Sequence, residues 1–170
     1  SVYGAHREQM DALQAAGVPY AVCPGVSSFF GAAASLGAEY TLPGVSQTVI
    51  LTRAAGRTPV PEKEKLSALA VHGASMVLFL SAGRAAEAVS ELLAGGRYTP
   101  ETPAAIVYKA TWPDERIIRT TLGELAADAK AAGITKTALL LIGDFLGTEY
   151  ENSKLYDPSF TTEFREGKQA

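Results

Sequence analysis

Cysteine is almost missing from this chain: Cys23 is the one thiol among 170 residues. An internal disulfide framework is therefore excluded, and a reducing, cytoplasmic setting is expected. Histidine is nearly as scarce, with His6 on a polar helical stretch and His72 just before Gly73. Neither has a His, Cys, Asp or Glu neighbour at ligand spacing, so no metal site is expected. No catalytic histidine is assigned either, and no Ser-His or Cys-His pair can be named. The G-x-S-x-G, G-x-x-x-x-G-K-[ST] and G-x-G-x-x-G signatures are absent, which removes the usual hydrolase, P-loop and dinucleotide readings. No apolar run is long enough to cross a bilayer, so no membrane partner is expected. The formal net charge is only −3, leaving no basic footprint for nucleic acid. Fixed-period repeats are missing, which excludes a solenoid.

What is present is a chain 47% hydrophobic and 19% charged, long enough for one sizeable domain or two small ones. Its segments alternate in type, which predicts an α/β fold with a mixed sheet. A helix is expected from Val2 to Ala16, with Tyr3, Met10 and Leu13 on its apolar side. Tyr20 to Cys23 is expected as a short buried strand with Cys23 in the core, halted by Pro24-Gly25. Ser27 or Ser28 would cap an alanine-rich helix that runs to Leu36 and closes on Gly37. Leu42-Pro43-Gly44 is a sharp break and the best internal boundary.

Beyond that break, Gln47 to Thr52 has the continuous apolar character of a strand buried on both faces. Glu62 to Val71 is expected as a helix, and Met76 to Leu80 as a central strand. Ser81 would cap a helix through Leu93, ended by Gly95-Gly96. Ala104 to Lys109 and Arg116 to Thr121 are expected as antiparallel strands around a turn at 111–115. A helix from Leu122 to Ala132 and a strand from Ala138 to Ile142 complete the pattern. From Gly147 the periodicity fades into a polar tail, pinned by Tyr150, Tyr156, Phe160 and Phe164.

Two sets of residues invite a functional reading. A strand, a Pro-Gly turn and a small-residue helix start, as at 20–34, are where open α/β sheets place ligands; an ordinary βα connection reads the same way. Arg53 and Arg57 flank Gly56 after a strand, where guanidinium groups could fork onto ligand carboxylates or simply face water. Asp144 after the last strand reads as a turn former.

Several segments together resemble the tetrapyrrole methylases, and within them the branch acting at C11 of precorrin-4. They are Ser1-Val2-Tyr3-Gly4-Ala5, Pro24-Gly25-Val26-Ser27-Ser28, the run Leu42 to Arg53, Gly56-Arg57-Thr58-Pro59-Val60-Pro61, and Ser153 to Pro158. The resemblance implies a class III methyltransferase of two α/β domains. Residues 1–40 would then be the end of the first domain, 41–148 the complete second domain, and 149–170 a polar C-terminal tail. It further implies that most of the first domain precedes Ser1 and is missing here, so activity and cofactor binding of this chain alone would be weak or absent. S-adenosylmethionine would be the cofactor, with Val2, Ser27, Ser28, Leu80 and Ala110 in its site. The substrate would be a tetrapyrrole, precorrin-4 or its cobalt form, met by Arg53 and Arg57, and the enzyme a homodimer of cobalamin biosynthesis. A non-catalytic tetrapyrrole-binding or dimerising fragment, or a methylase with another substrate, is the alternative.

Overall fold

Three apolar pentads and hexads, Ser75–Phe79 (β2), Pro103–Tyr108 (β3) and Ala138–Ile142 (β5), have almost every residue buried. That requires cover on both sides, and a computed structural model describing residues 2–167 supplies it. Ser1 of the first resembling segment, and 168–170 of the expected tail, lie outside the described residues.

Five strands form one mixed sheet in the order β1-β2-β5-β3-β4, where β1 is Val49–Arg53 and β4 is Arg116–Thr121. The β1–β2 pair is parallel, and the β2–β5, β5–β3 and β3–β4 pairs are antiparallel. Successive side chains point to opposite faces. Met76, Leu78, Ile106, Leu140 and Ile142 therefore meet the helices Leu66–Ala70 (α3), Ala85–Ala94 (α4) and Leu125–Ala131 (α5). Val77, Ala105, Val107, Leu139 and Leu141 pack on the other face against Ser28–Leu36 (α2), Tyr40 and Phe145.

The α/β class and mixed sheet are as expected, and the corrections fall at particular segments. The first helix is shorter, His6–Ala15 (α1), and buries none of its residues. Residues 20–23 form no strand, and Cys23 is exposed rather than in the core. Pro19 and Pro24 flank the segment without N–H donors, and no described strand lies beside it to complete a ladder. β1 is an edge strand, half-buried except at Thr52, so its apolar run does not mark burial on both faces. β2 is interior, yet the middle of the sheet belongs to β5. The helices expected at 62, 81 and 122 begin instead as short 3-10 or turn segments, leaving α3, α4 and α5 shorter. In the tail the aromatics are not the pins: Tyr156 and Phe164 are exposed. The Arg165 guanidinium holds it by donating to the carbonyls of Leu155, Asp157 and Phe160 at 3.0, 2.6 and 3.3 Å.

Ser27 occupies the N-cap position of α2, but neither serine hydroxyl caps the helix. Ser81 does not cap either. Its buried hydroxyl donates to the Phe79 carbonyl at 2.7 Å and accepts the Ala54 N–H at 2.8 Å, tying the ends of β1 and β2 together. At this same end of the sheet the chain leaves β2 through Leu80 (φ 54°) and β3 through Lys109 (φ 51°), and enters β5 from Thr137 (φ 56°). Left-handed backbone costs an L-residue roughly 1–2 kcal/mol, against which glycine has only its own entropic cost of about 0.5–1 kcal/mol. Leu80 is also 73% exposed, so its side chain contributes little burial. Leu80→Gly should stay within about 1 kcal/mol of the parent in urea unfolding, because these terms offset. Leu78→Gly, two residues back in the sealed strand, should lose more than about 3 kcal/mol.

Candidate functional site

The three left-handed strand ends enclose a cleft of about 310 Å³. Phe79, Leu80 and Ala82 form one wall, Lys109, Ala110 and Trp112 another, and 135–139 close the base. Ser28 reaches the rim from α2. The Lys109 N–H donates to the Thr137 carbonyl at 2.8 Å, fixing the β3 exit against the β5 entry. Four of the six non-glycine left-handed residues among those described are Leu80, Lys109, Thr111 and Thr137, all at this end of the sheet. Left-handed backbone of this kind clusters at ligand-binding edges, which makes this end of the sheet the candidate site.

Small side chains leave the space: Ser28, Ala82, Ala110 and Ala138 line it, over an apolar floor of Val107 and Leu139. The Lys109 ammonium pairs with Asp114 and lies 5.1 Å from the Tyr108 ring centre and 5.3 Å from that of Trp112. Donation to Asp114, then hydrogen bonding with Tyr108, raises the Lys109 pKa; accepting that bond from Lys109 lowers the pKa of Asp114. The cation is thus held in place by two rings and one carboxylate. Among the described residues no group of three His, Cys, Asp or Glu could hold a metal ion.

Of the residues singled out in the sequence, Ser28, Leu80 and Ala110 come together in the cleft lining. Ser27 stands one residue outside it, half-buried. Val2 is exposed and not part of the lining, although the neighbouring Tyr3 ring sits 5.9 Å from that of Phe79. Arg53 ends β1 at the same end of the sheet, paired in register with Phe79. Its guanidinium is engaged locally, donating to Ala54, Thr58 and Pro59 carbonyls at 3.2, 3.1 and 2.9 Å. Arg57 stands exposed on the loop so braced. Lys109, Trp112 and Thr137 were missed by sequence reasoning. The polar turn after an apolar strand, 109–115, was the available signal.

The profile of the family described as Tetrapyrrole (Corrin/Porphyrin) Methylases matches residues 1–126. A Methanocaldococcus jannaschii protein named cobalt-precorrin-4 C(11)-methyltransferase is 52% identical over 166 residues, which is 97% of this chain and 64% of that protein. A Priestia megaterium protein of the same name is 48% identical over 171 residues, 98% and 66% of the two chains. The present chain therefore spans about two thirds of the length of these relatives. Among solved structures, that of a cobalamin biosynthetic enzyme, cobalt precorrin-4 methyltransferase, superposes with a TM-score of 0.82 at 49% identity, covering 86% of this chain and 61% of that one. A Thermus thermophilus uroporphyrin-III C-methyltransferase, complexed with S-adenyl homocysteine, gives 0.65 at 25% identity, over 85% and 62%. With the profile spanning well over half of the residues and the mixed sheet common to these structures, the chain belongs to the tetrapyrrole methylases.

Proposed function

We propose that this chain belongs to an S-adenosylmethionine-dependent C-methyltransferase acting at C11 of precorrin-4 or cobalt-precorrin-4, in cobalamin biosynthesis. The observation that carries the reading is the meeting of Ser28, Leu80 and Ala110 around one cleft, in a chain whose relatives bear that name. A uroporphyrin-III methyltransferase with the same sheet is described with S-adenyl homocysteine bound. The lining fits such a ligand. It offers a slot with small side chains over an apolar floor of Val107 and Leu139, and the Ser28 hydroxyl at the rim.

When bound, S-adenosylmethionine supplies a methyl group already activated by its sulfonium. The protein therefore needs no covalent nucleophile, and catalysis falls to alignment and exclusion of water. Ala110 and Leu80 would hold the cofactor by shape, with Ser28 and Ser27 at its rim and Val2 approaching beside Tyr3. Arg57 would meet a substrate carboxylate, and Arg53 would serve by bracing the loop that presents it. That assignment gives the two arginines different work, one binding and one positioning.

The same reading divides the chain into residues 1–40 of a first α/β domain, 41–148 of a second, and a tail at 149–170. Support comes from the turn at 42–46, closed by the Leu42 N–H to Ser46 carbonyl bond at 2.9 Å, and from the exposure of α1 and of residues 18–26. On this division α2 packs across the boundary, onto the sheet of the second domain. A homodimer in the cytoplasm is part of the proposal. The dimer rests on the family, and the cytoplasmic setting on the family and the lone free thiol.

Isothermal titration with S-adenosylhomocysteine tests the cleft. Saturable one-to-one binding tighter than about 1 mM, or roughly −4 kcal/mol, is expected. Ala110→Phe, which fills the slot, should abolish it. No saturable binding by the parent, or undiminished binding by Ala110→Phe, would overturn the assignment. Transfer of labelled methyl to precorrin-4 and to its cobalt form then distinguishes the two substrates.

A further inference from the structure

Glu115 lies outside the cleft lining, yet one of its carboxylate oxygens joins the turn that forms one wall to the helix that reaches the rim. Its Oε2 accepts the backbone N–H of Thr111 at 2.6 Å and the hydroxyl of Ser35 at 2.8 Å. Thr111 belongs to the turn that carries Lys109, Ala110 and Trp112; Ser35 belongs to α2, whose first residue, Ser28, is at the rim. Charge-assisted bonds of this kind are shorter and stronger than neutral ones. The Thr111 bond, then the Ser35 bond, lowers the Glu115 pKa, so the carboxylate stays charged through the neutral range.

Two further observations place the same two elements in tight apposition. A Cβ added at Gly31 would meet Thr111 Cγ2 at 2.8 Å, so α2 approaches the turn as closely as it does because residue 31 has no side chain. At the far end of the helix, Arg119 of β4 donates to the Leu36 carbonyl at 2.5 Å. Thus α2 lies close against the β3–β4 hairpin at 31 and is hydrogen-bonded to it at 35 and 36, and of these two bonds only the one at 35 reaches the turn. Thr111 is left-handed at φ 69°, a conformation that needs outside support.

We propose that Glu115 is a positioning residue, latching the 109–114 turn to α2 and so setting the width of the cleft. It touches neither cofactor nor substrate and acts through Thr111 and Ser35. What occupies the cleft rests on the function proposed above; the latch itself does not.

The test compares this chain with Glu115→Ala, Glu115→Gln and Gly31→Ala. Amide exchange at Thr111 and acrylamide quenching of Trp112, the chain's one tryptophan, are measured without ligand. S-adenosylhomocysteine affinity is measured by titration. In Glu115→Ala, Thr111 exchange should rise by about tenfold or more, Trp112 quenching should increase, and affinity should fall by about tenfold, as expected for a lost charged acceptor. Glu115→Gln keeps an oxygen that can accept both bonds and should remain within about threefold of the parent on every readout. Gly31→Ala gains helix propensity against the cost of displacing Thr111 Cγ2, and its fold is checked by circular dichroism. Its methyl pushes α2, and with it Ser28 at the rim, away from the turn, so affinity should fall by about tenfold with Glu115 intact, independently of whether Glu115→Ala folds.

Unchanged Thr111 exchange and Trp112 quenching in a folded Glu115→Ala would overturn the proposal. So would altered exchange with unaltered affinity, or a Gly31→Ala that binds as the parent does. If the parent itself binds no S-adenosylhomocysteine, the functional reading falls. The latch is then decided by Trp112 quenching alone: an increase in Glu115→Ala upholds it and no change sinks it.

Discussion

The insertion of β5 between β2 and β3 is the constraint on which the rest of the molecule depends. All five residues of β5 are buried, each neighbour runs antiparallel to it, and its alternate side chains anchor both cores. Because its neighbours run opposite to it, the start of β5 lies beside the finish of β2 and of β3. Three chain reversals are thereby crowded along one edge of the sheet. Crowding of that kind leaves backbone little choice, and Leu80, Lys109 and Thr137 all take the left-handed conformation there. The cleft is what those reversals enclose, so its existence follows from strand order before any side chain is considered.

Electrostatics then refine what topology provides. The turn after β3 holds its cation by Asp114 and by two aromatic faces, and holds its own backbone by Glu115. Burial elsewhere has its own partners. The Tyr98 hydroxyl donates to the Ala74 carbonyl at 2.6 Å, and desolvation, with Asp144 as a lesser contributor, pushes its pKa up to about 12. Tyr40 likewise donates to the Phe29 carbonyl at 2.6 Å, with burial raising its pKa. Among the described residues no buried side-chain polar atom lacks a partner. Unsatisfied polar groups of that kind would cost about 1–3 kcal/mol each, so the two cores carry little stored penalty.

Much of this was legible in the residues. Ala138 to Ile142 reads as a buried strand because sealed strands have no polar face to show, and the antiparallel hairpin 104–121 declares itself by the polar turn between apolar runs. Tyr20 to Cys23 misleads for a related reason: an apolar tetrad states a preference for burial but not whether a ladder partner stands beside it. Gln47 to Thr52 errs in the same direction, since an edge strand and a central one differ in neighbours, not in composition. At the cleft, Leu80 and Ala110 were reachable through family resemblance alone, being small or apolar residues that carry no chemical flag, whereas Ser28 stood in the Pro-Gly turn and helix start at 20–34 that already invited a ligand reading. Glu115 was beyond reach, because its partner Ser35 is 80 residues away in sequence and the bond exists only once α2 lies on the hairpin.

The two margins of the sheet differ in a way that bears on how the protein meets other extended chains. β4 carries Arg116 and Arg119 on exposed positions, and like charges on a border strand repel a second strand that would add to it. β1 is Val49-Ile50-Leu51-Thr52-Arg53, with no charge until its last residue. Unpaired amide and carbonyl groups along such a strand form a template for main-chain pairing. Of the two borders, the sheet is guarded on one and receptive on the other. Main-chain pairing with an added strand is therefore opposed less by charge at β1 than at β4.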